Sequence, residues 1–204
     1  MNLTALQQDA LVEVINIGFG RAAASLSKLT GQRVQLEVPQ ITMCPLDELS
    51  DTLRPMVQNE VATIHQIFSG SVAGDALLVL DEHSAAILKE LLTNEPAMPL
   101  QIDASAREVL TEVGNILLNA CLGSFGNLLR VQVSFSVPHL TLETLEGVVR
   151  SVTVNRQGLR YALIVHAAFR LKNSSLTGYL IIVLSVASID RLIRAIEQWE
   201  GGER

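Results

Sequence analysis

The sequence predicts an α+β protein built from two copies of one unit, with helices packed on a mainly antiparallel sheet. One observation is a set of residues that recurs at a constant offset: Glu13 and Glu112, Asn16 and Asn115, Pro39 and Pro138. The offset is 99 residues in each case, from 112 − 13, 115 − 16 and 138 − 39. The other observation is that each half reads as helix, strands, helix. We therefore predict a pseudo-twofold duplication, with two long motif helices on the same face of a shared sheet.

Later landmarks set the predicted boundaries of the two units. Phe68 and Gly74 match Phe169 and Gly178 at offsets of 101 and 104 residues, as small loop insertions would produce. Residues 95–102 contain two prolines and have no helical period, which is typical of a linker. We predict a first repeat over residues 1–94 and a second over residues 103–204, which together form one compact domain.

In the first half, a helix is predicted from Thr4 to Thr30, because Gly31 is a natural helix stop. Two apolar runs joined by Ser69-Gly70-Ser71 are typical of a β-hairpin. The predicted elements after the helix are a strand at Val34–Val38, a short helical turn and loop within 44–59, strands at Val61–Phe68 and Val72–Leu80, and a helix at 82–92.

In the second half, Asp103 is a candidate N-cap for a helix that extends to about Leu129. Alternating apolar residues at Val148–Val154 predict a strand, and apolar residues at 189, 192, 193 and 196 predict a final helix. The remaining predicted strands are 131–137, 161–171 and 177–184, with the last two paired across residues 172–175.

On the first helix, Asp9, Glu13 and Asn16 lie at positions i, i+4 and i+7, so they share one stripe. Small residues are predicted on the same side: Ala10, Gly20 and Ala24. Apolar residues are predicted on the opposite, core-facing side: Leu11, Ile15, Ala22, Leu26 and Leu29.

The second helix repeats this arrangement of one polar face and one apolar face. Its polar face carries Glu108, Glu112, Asn115, Asn119, Gly123 and Gly126. Its apolar face carries Leu110, Leu117, Cys121, Phe125 and Leu128. An acid and an amide are thus predicted on an uncrowded surface in each half.

A single exposed acid and amide on a helix is ordinary solvated surface. Here the pair is duplicated, although Asn and Gly are poor residues for the interior of a helix. Keeping them in both copies costs stability twice. A helix face of this kind suits close approach by another macromolecule, which favours a functional interpretation.

The pattern Asp-x3-Glu-x2-Asn-x22-Pro, which begins at Asp9, resembles the CheC/CheX/FliY family of bacterial chemotaxis phosphatases. The segments at 13–23 and 112–117 carry the resemblance, with 68–74 and 178–184 as further matches. The motif in both halves resembles the CheC arrangement. One departure is Glu108, which stands where the family pattern has Asp or Ser.

The resemblance implies hydrolysis of the aspartyl phosphate on a response regulator of the CheY type. Glu13 and Glu112 would each pair with a lysine of the docked regulator, while Asn16 and Asn115 would orient the attacking water. By the same resemblance, the divalent metal belongs to the regulator, and this chain needs no metal or cofactor of its own. The supporting motif residues would be Asp9, Glu108, Pro39 and Pro138.

Two other interpretations remain open at this stage. The chain is alternatively a non-catalytic module that binds a response regulator or the receptor deamidase CheD, with the strands beyond position 147 as a free edge. The intact Glu and Asn in both copies favour activity instead. The run from Gly18 to Ala23 also resembles the Gly-x-Gly-x-x-Ala turn of dinucleotide-binding proteins, with Glu37 as the ribose acceptor.

Composition narrows the function classes further. The net charge is −6 and no Lys/Arg cluster is present, which disfavours nucleic-acid binding. Without a signal peptide or a long enough apolar run, we expect a cytoplasmic protein that does not cross a membrane, and we expect a monomer. Cys44 and Cys121 are far apart and are predicted to be inert thiols, and the scattered histidines make a zinc site improbable.

Overall fold

The computed structural model describes residues 3–37, 40–57, 60–93, 103–128, 130–153, 159–171 and 174–202. These residues form six α-helices, eight β-strands and a 3-10 turn at Leu46–Glu48. In chain order the elements are α1 (Ala5–Thr30), β1 (Val34–Leu36), β2 (Gln40–Pro45), α2 (Leu49–Leu53), β3 (Glu60–Gly70), β4 (Gly74–Asp81), α3 (Glu82–Thr93), α4 (Ala104–Leu128), β5 (Val133–Phe135), β6 (His139–Thr144), α5 (Leu145–Thr153), β7 (Leu159–Leu171), β8 (Ser174–Ser185) and α6 (Val186–Gly202).

One antiparallel sheet runs through the molecule in the order β1-β7-β8-β4-β3-β5. β2 pairs with β7 beside β1, and β6 pairs with β3 beside β5. Each sheet edge is therefore an interrupted strand, and β4 and β8 pair at the centre. The predicted α+β class with a mainly antiparallel sheet is confirmed. The strands beyond position 147 lie inside this sheet, so the prediction that they offer a free edge is wrong.

The pairing register repeats between the two halves. Val34 pairs with Leu171, and Val133 pairs with Gly70. The edge strands are thus related by 133 − 34 = 99 residues, and their partners by 171 − 70 = 101 residues. The pairing of β1 with β7 at one edge of the sheet is therefore equivalent to the pairing of β5 with β3 at the other edge.

This register also tests the later sequence landmarks. Phe68 and Phe169 occupy equivalent positions at an offset of 101 residues, as predicted. Phe68 pairs with Gly74, whereas Phe169 pairs with Leu176. The predicted match between Gly74 and Gly178 is wrong by two residues. The predicted division at 1–94, 95–102 and 103–204 stays a prediction, and the linker lies outside the described residues.

The helices form a layer on each side of the sheet. One core contains buried residues of α1, α3, α4 and α6, so the two motif helices lie on the same face as predicted. The other core lies under α2 and α5. α1 and α4 also meet directly, since a Cβ atom added at Gly18 would lie 2.8 Å from the Cα of Cys121.

The glycine-rich run from Gly18 to Ala23 lies inside α1, and the described residues hold no strand that enters it. A dinucleotide fingerprint requires a strand followed by a tight turn at the first glycine. The dinucleotide interpretation is therefore wrong. Gly18 is explained by the close approach of α4.

Three element predictions also need correction. The predicted strand at Val148–Val154 is helix α5 as far as Thr153, because Leu145, Val148 and Val152 have helical spacing and are buried together. Strands β2 and β6 were missed. Both are short edge strands in which exposed and buried residues mix, which gives a weak alternating signal.

α4 is long and apolar enough over residues 104–127 to cross a bilayer by length and composition alone. Half of the 18-residue apolar stretch within that segment is buried in the protein, where α4 contacts α1 and the sheet. A buried core helix passes the same test of length and composition. The length and composition of α4 are therefore not evidence that it spans a membrane.

Both cysteines are buried and free. Burial raises the pKa of the Cys121 thiol far above its ordinary value, and burial is also the main cause of the raised pKa of Cys44. A thiol that stays protonated is a poor nucleophile. The predicted inert character of these thiols agrees with this environment.

Both ends of α1 are capped, and Gly31 is the stop that the sequence predicts. Thr4 accepts a hydrogen bond from the Gln7 backbone N–H at 3.2 Å, and the Gln7 side chain accepts one from the Thr4 backbone N–H at 2.9 Å. Gly31 ends the helix in the left-handed region, with φ of 65°. This conformation costs least for glycine, which has no Cβ atom.

Replacing Gly31 with alanine is expected to lower the free energy of unfolding by about 1–2 kcal/mol, because the new Cβ atom makes the left-handed backbone unfavourable. Gly31→Asn should lose less, since Asn tolerates this region. Urea denaturation of both variants measures the difference. Equal stability of Gly31→Ala and the wild type would contradict the assigned cap.

Candidate functional site

The first site consists of Asp9, Glu13 and Asn16, which are all exposed on α1. Glu13 and Asn16 are three residues apart on a continuous helix, so their side chains are neighbours on its surface. The Asn16 side chain forms no hydrogen bond within the described part of the chain. Its donors and its acceptor are therefore available to a partner.

The predicted surroundings of the first site are mostly correct. Gly20 and Ala24 are exposed beside it, but Ala10 is buried, because it lies at the border with the core. On the opposite face the structure confirms four of the five predicted core residues: Leu11, Ile15, Ala22 and Leu26. Leu29 is 47% exposed, since it lies in the last turn beyond Leu26, the last buried residue of α1.

The second site consists of Glu108, Glu112 and Asn115 on α4. The two acids are exposed and Asn115 is half-buried. The predicted core face behind them is buried at Leu110, Leu117, Cys121 and Phe125, whereas the side chain of Leu128 lies outside the described residues. The two sites therefore differ in exposure at the amide.

The start of α4 is held by an aspartate cap, as the sequence predicts. Asp103 Oδ1 accepts the backbone N–H of Ala106 at 2.7 Å, and Lys89 Nζ of α3 lies 3.1 Å from Asp103 Oδ2. The hydrogen bond from Ala106, followed by that from Lys89, lowers the pKa of the Asp103 carboxyl. Arg107 Nη1 also donates to the Leu140 carbonyl at 2.8 Å, which ties the first turn of α4 to β6.

α1 is held at both ends by other elements. Gln7 Nε2 donates to Glu197 Oε1 of α6 at 2.9 Å. At the other end, the Val34 backbone N–H donates to Ser27 Oγ at 2.9 Å, which ties β1 to the helix. The first site lies between these two ties.

The second site includes two residues that the sequence reasoning did not assign a role. Asn119 Nδ2 donates to Asn115 Oδ1 at 2.6 Å, and Gln66 Nε2 of β3 lies 3.2 Å from Asn119 Oδ1. Asn119 was placed on the correct face, but Gln66 was missed. The sequence feature that could have identified Gln66 was its position as the one amide side chain in the predicted strand Val61–Phe68.

The second motif proline lies between the two strands of one sheet edge. Pro138 is half-buried in the break between β5 and β6, next to Val137, which is 86% exposed. Proline lacks a backbone N–H, so it interrupts pairing with β3 at this point. Pro39 lies outside the described residues.

Among the described residues, no group of three or more His, Cys, Asp or Glu side chains has the geometry of a metal site. The expectation that this chain needs no metal or cofactor of its own stays a prediction.

A histidine pair lies on the other face of the sheet, away from both sites. His65 Nε2 lies 2.8 Å from Asp75 Oδ1, and the rings of His65 and His139 are 5.0 Å apart. Desolvation and the His65 charge lower the pKa of His139, while Glu143 opposes this shift.

Because its pKa is lowered on folding, His139 contributes stability that is present above its unfolded pKa of about 6.5 and is lost as the pH falls through the folded value. An NMR titration should give His139 a pKa below 6.5 in the wild type. The value should rise in His65→Gln, where the neighbouring imidazolium is absent. A wild-type value at or above 6.5 would exclude this interaction.

Both the sequence and the fold of this chain resemble those of known proteins. The sequence model of the CheC-like family matches residues 6–43, which include the whole first site. The CheY-P phosphatase CheC of Bacillus subtilis is 30% identical over 146 residues, which cover 70% of this chain and 69% of that protein. The chain belongs to the CheC-like family. The flagellar motor switch phosphatase FliY of B. subtilis is 28% identical over 148 residues, or 69% of this chain and only 37% of that protein.

Two solved structures show how widely this CheC-like fold is shared. Thermotoga maritima FliY superposes with a TM-score of 0.79 at 18% identity, over 98% of this chain and 100% of that one. CheX, in a complex with CheY, BeF3 and Mg2+ from Borrelia burgdorferi, superposes with a TM-score of 0.52 at 16% identity. That match covers 84% of this chain and 98% of the other. At these identities the likeness concerns the fold alone.

Proposed function

We propose that this protein hydrolyses the aspartyl phosphate of a CheY-type response regulator in bacterial chemotaxis, in the cytoplasm. Glu13 and Glu112 anchor the regulator, and Asn16 and Asn115 orient the attacking water. The supporting residues Asp9, Glu108, Pro39 and Pro138 complete the two motifs.

The observation that carries the proposal is the pairing of a carboxylate with an amide, one helical turn apart, on each of the two motif helices. Glu13, Asn16 and Glu112 are exposed, and Asn115 is half-buried with its amide within reach of the surface. No residue in this set is a strong nucleophile. The set is suited to holding a partner and orienting a small molecule, which agrees with the B. subtilis relative named as a CheY-P phosphatase.

The chemistry needs little more than positioning. Water attacks the phosphorus atom in line with the bond to the aspartyl oxygen, the carboxylate leaves, and the water proton passes to the phosphate product. Catalysis of phosphoryl transfer depends mainly on orientation and on stabilisation of charge. The amide hydrogen-bonds the water, and the divalent metal is expected on the regulator.

The test is the decay of a phosphorylated CheY-type regulator, with and without this protein, for the wild type and for Asn16→Ala, Asn115→Ala and the double variant. Loss of one oriented donor typically costs about 100-fold or more in rate. Each single variant should therefore retain the activity of the other site, and the double variant should lose almost all of it. A wild type that does not accelerate decay contradicts the proposal.

The same experiment separates the rival proposal, a non-catalytic module that binds the regulator or the deamidase CheD. In that case decay stays at its intrinsic rate while binding is still detected by titration calorimetry. Sedimentation of the protein alone tests the expected monomer.

A further inference from the structure

A chain of side-chain amides connects Asn115 to the backbone between β5 and β6. Asn119 Nδ2 donates to Asn115 Oδ1 at 2.6 Å, one turn further along α4. Gln66 Nε2 then donates both to Asn119 Oδ1 at 3.2 Å and to the backbone carbonyl of Ser136 at 2.9 Å. We call these three amides, Gln66, Asn119 and Asn115, the amide relay.

The Ser136 carbonyl sets the direction of the amide relay. A backbone carbonyl only accepts hydrogen bonds, so it must face the Nε2 end of Gln66. The second Nε2 proton then meets Asn119 Oδ1, which turns Asn119 Nδ2 toward Asn115 Oδ1. The end of the Asn115 side chain is thereby fixed, with both N–H donors and one oxygen lone pair left for a partner.

The burial of Gln66 lowers the stability of the fold. It is 1% exposed in a strand whose inward neighbours are apolar, and its Oε1 has no hydrogen-bond partner among the described residues. A buried polar atom without a partner costs about 1–3 kcal/mol. An apolar residue of similar size would avoid this cost, which argues that the amide serves something other than stability.

The first half of the molecule folds without this arrangement. The counterpart of Asn119 is Gly20, at 119 − 99, and the counterpart of Gln66 is Ala167, at 66 + 101. Neither residue has a side chain that can form such a hydrogen bond. The same helix-on-sheet packing therefore does not require the amide relay, which again points away from a purely structural role.

We propose that Gln66 and Asn119 are positioning residues for the second site. They hold Asn115 so that its Nδ2 group is presented to the water and the phosphoryl group of the docked regulator. This inference rests on the proposed phosphatase function. It assigns an orienting role in the reaction to two residues outside the Asp-x3-Glu-x2-Asn-x22-Pro motif.

The deciding variant is Asn119→Asp, made in an Asn16→Ala background so that only the second site acts. The carboxylate still accepts the hydrogen bond from Gln66, but it cannot donate to Asn115. The Asn115 amide must then rotate and donate to the carboxylate, which removes Nδ2 from the reaction. We expect kcat to fall about 10- to 100-fold with KM unchanged.

Asn127→Asp is the matched control, because it makes the same charge change at an exposed position of the same helix. It should keep kcat within about twofold, well short of the loss that misplacing a catalytic amide produces. Asn119→Ala gives the same test without added charge if Asn119→Asp loses its fold by circular dichroism. An unchanged kcat in a folded Asn119 variant, or a change confined to KM, would overturn the positioning role.

A second measurement needs no substrate. In the wild type, NMR hydrogen exchange should be slow for the Asn119 Nδ2 proton that is donated to Asn115 and fast for the Nδ2 protons of Asn115. In Asn119→Asp the protection should move to Asn115. Fast exchange at Asn119 in the wild type would refute the amide relay itself. A wild type that is inactive on the regulator would instead refute the phosphatase proposal, and the exchange measurement would still test the amide relay.

Discussion

Reversing the charge at both Glu13 and Glu112 is expected to lower kcat/KM for the phosphorylated regulator by about 30- to 4,000-fold. Loss of a close charge pair in an interface costs about 2–5 kcal/mol, and a lysine at either position adds repulsion with the proposed lysine of the regulator. Both residues are exposed on a helix surface and have no structural partner among the described residues. The loss should therefore arise in docking, with stability unchanged.

The double variant Glu90→Lys and Glu146→Lys is the matched control. Both positions are exposed and lie on other helices, α3 and α5, and the net charge changes from −6 to −2 in either double variant (−6 + 4). Initial rates over a range of regulator and salt concentrations measure the effect. If the control loses as much as Glu13→Lys with Glu112→Lys, the effect belongs to overall charge, and the anchoring role fails.

Much of the fold could be predicted because the apolar pattern and the duplication agree. The recurrence of one helix motif after 99 residues predicted two helices on one face of one sheet. A strong local signal also placed the end of α1, because glycine adopts the left-handed conformation of a helix C-cap at little cost. These features depend on interactions within a few residues along the chain.

The errors arose where tertiary contacts determine the secondary structure or the burial of a residue. The segment at Val148–Val154 alternates in sequence, yet Leu145, Val148 and Val152 bury one helical face against the second core. Ala10 and Leu29 were misplaced because a helical wheel does not indicate where a neighbouring element stops. At Val148–Thr153 packing against distant residues overrides the local pattern, whereas Leu29 is exposed because it lies beyond the part of α1 that packs in the core.

The same distinction between local and tertiary interactions separates the site residues that were predicted from those that were missed. The exposed acids and amides follow from helical spacing alone, so Glu13, Asn16 and Glu112 lie where expected. The link from Asn115 to Gln66 joins α4 to β3, which are about 50 residues apart, and only the fold brings them together. The sequence shows a glutamine in a mostly apolar strand, but it does not show which residue that glutamine contacts.

The other large expected effect concerns the contact between the two motif helices. A Cβ atom at Gly18 would lie 2.8 Å from Cys121 Cα and 3.1 Å from the Ala120 carbonyl oxygen. Both are backbone atoms of α4, so a larger side chain must move the whole helix. Gly18→Leu is therefore expected to lower the free energy of unfolding by about 3 kcal/mol, at the upper end for overpacking.

Gly20→Leu is the matched control on the same helix, because a Cβ atom at Gly20 would have no atom of another described element within 4 Å. Both changes raise helix propensity by about 0.8 kcal/mol, so the difference between them isolates the contact with α4. For a protein of this size, a loss of 3 kcal/mol lowers Tm by roughly 6–12 °C, which calorimetry resolves. Equal Tm values for the two variants would contradict the close contact between α1 and α4 at Gly18.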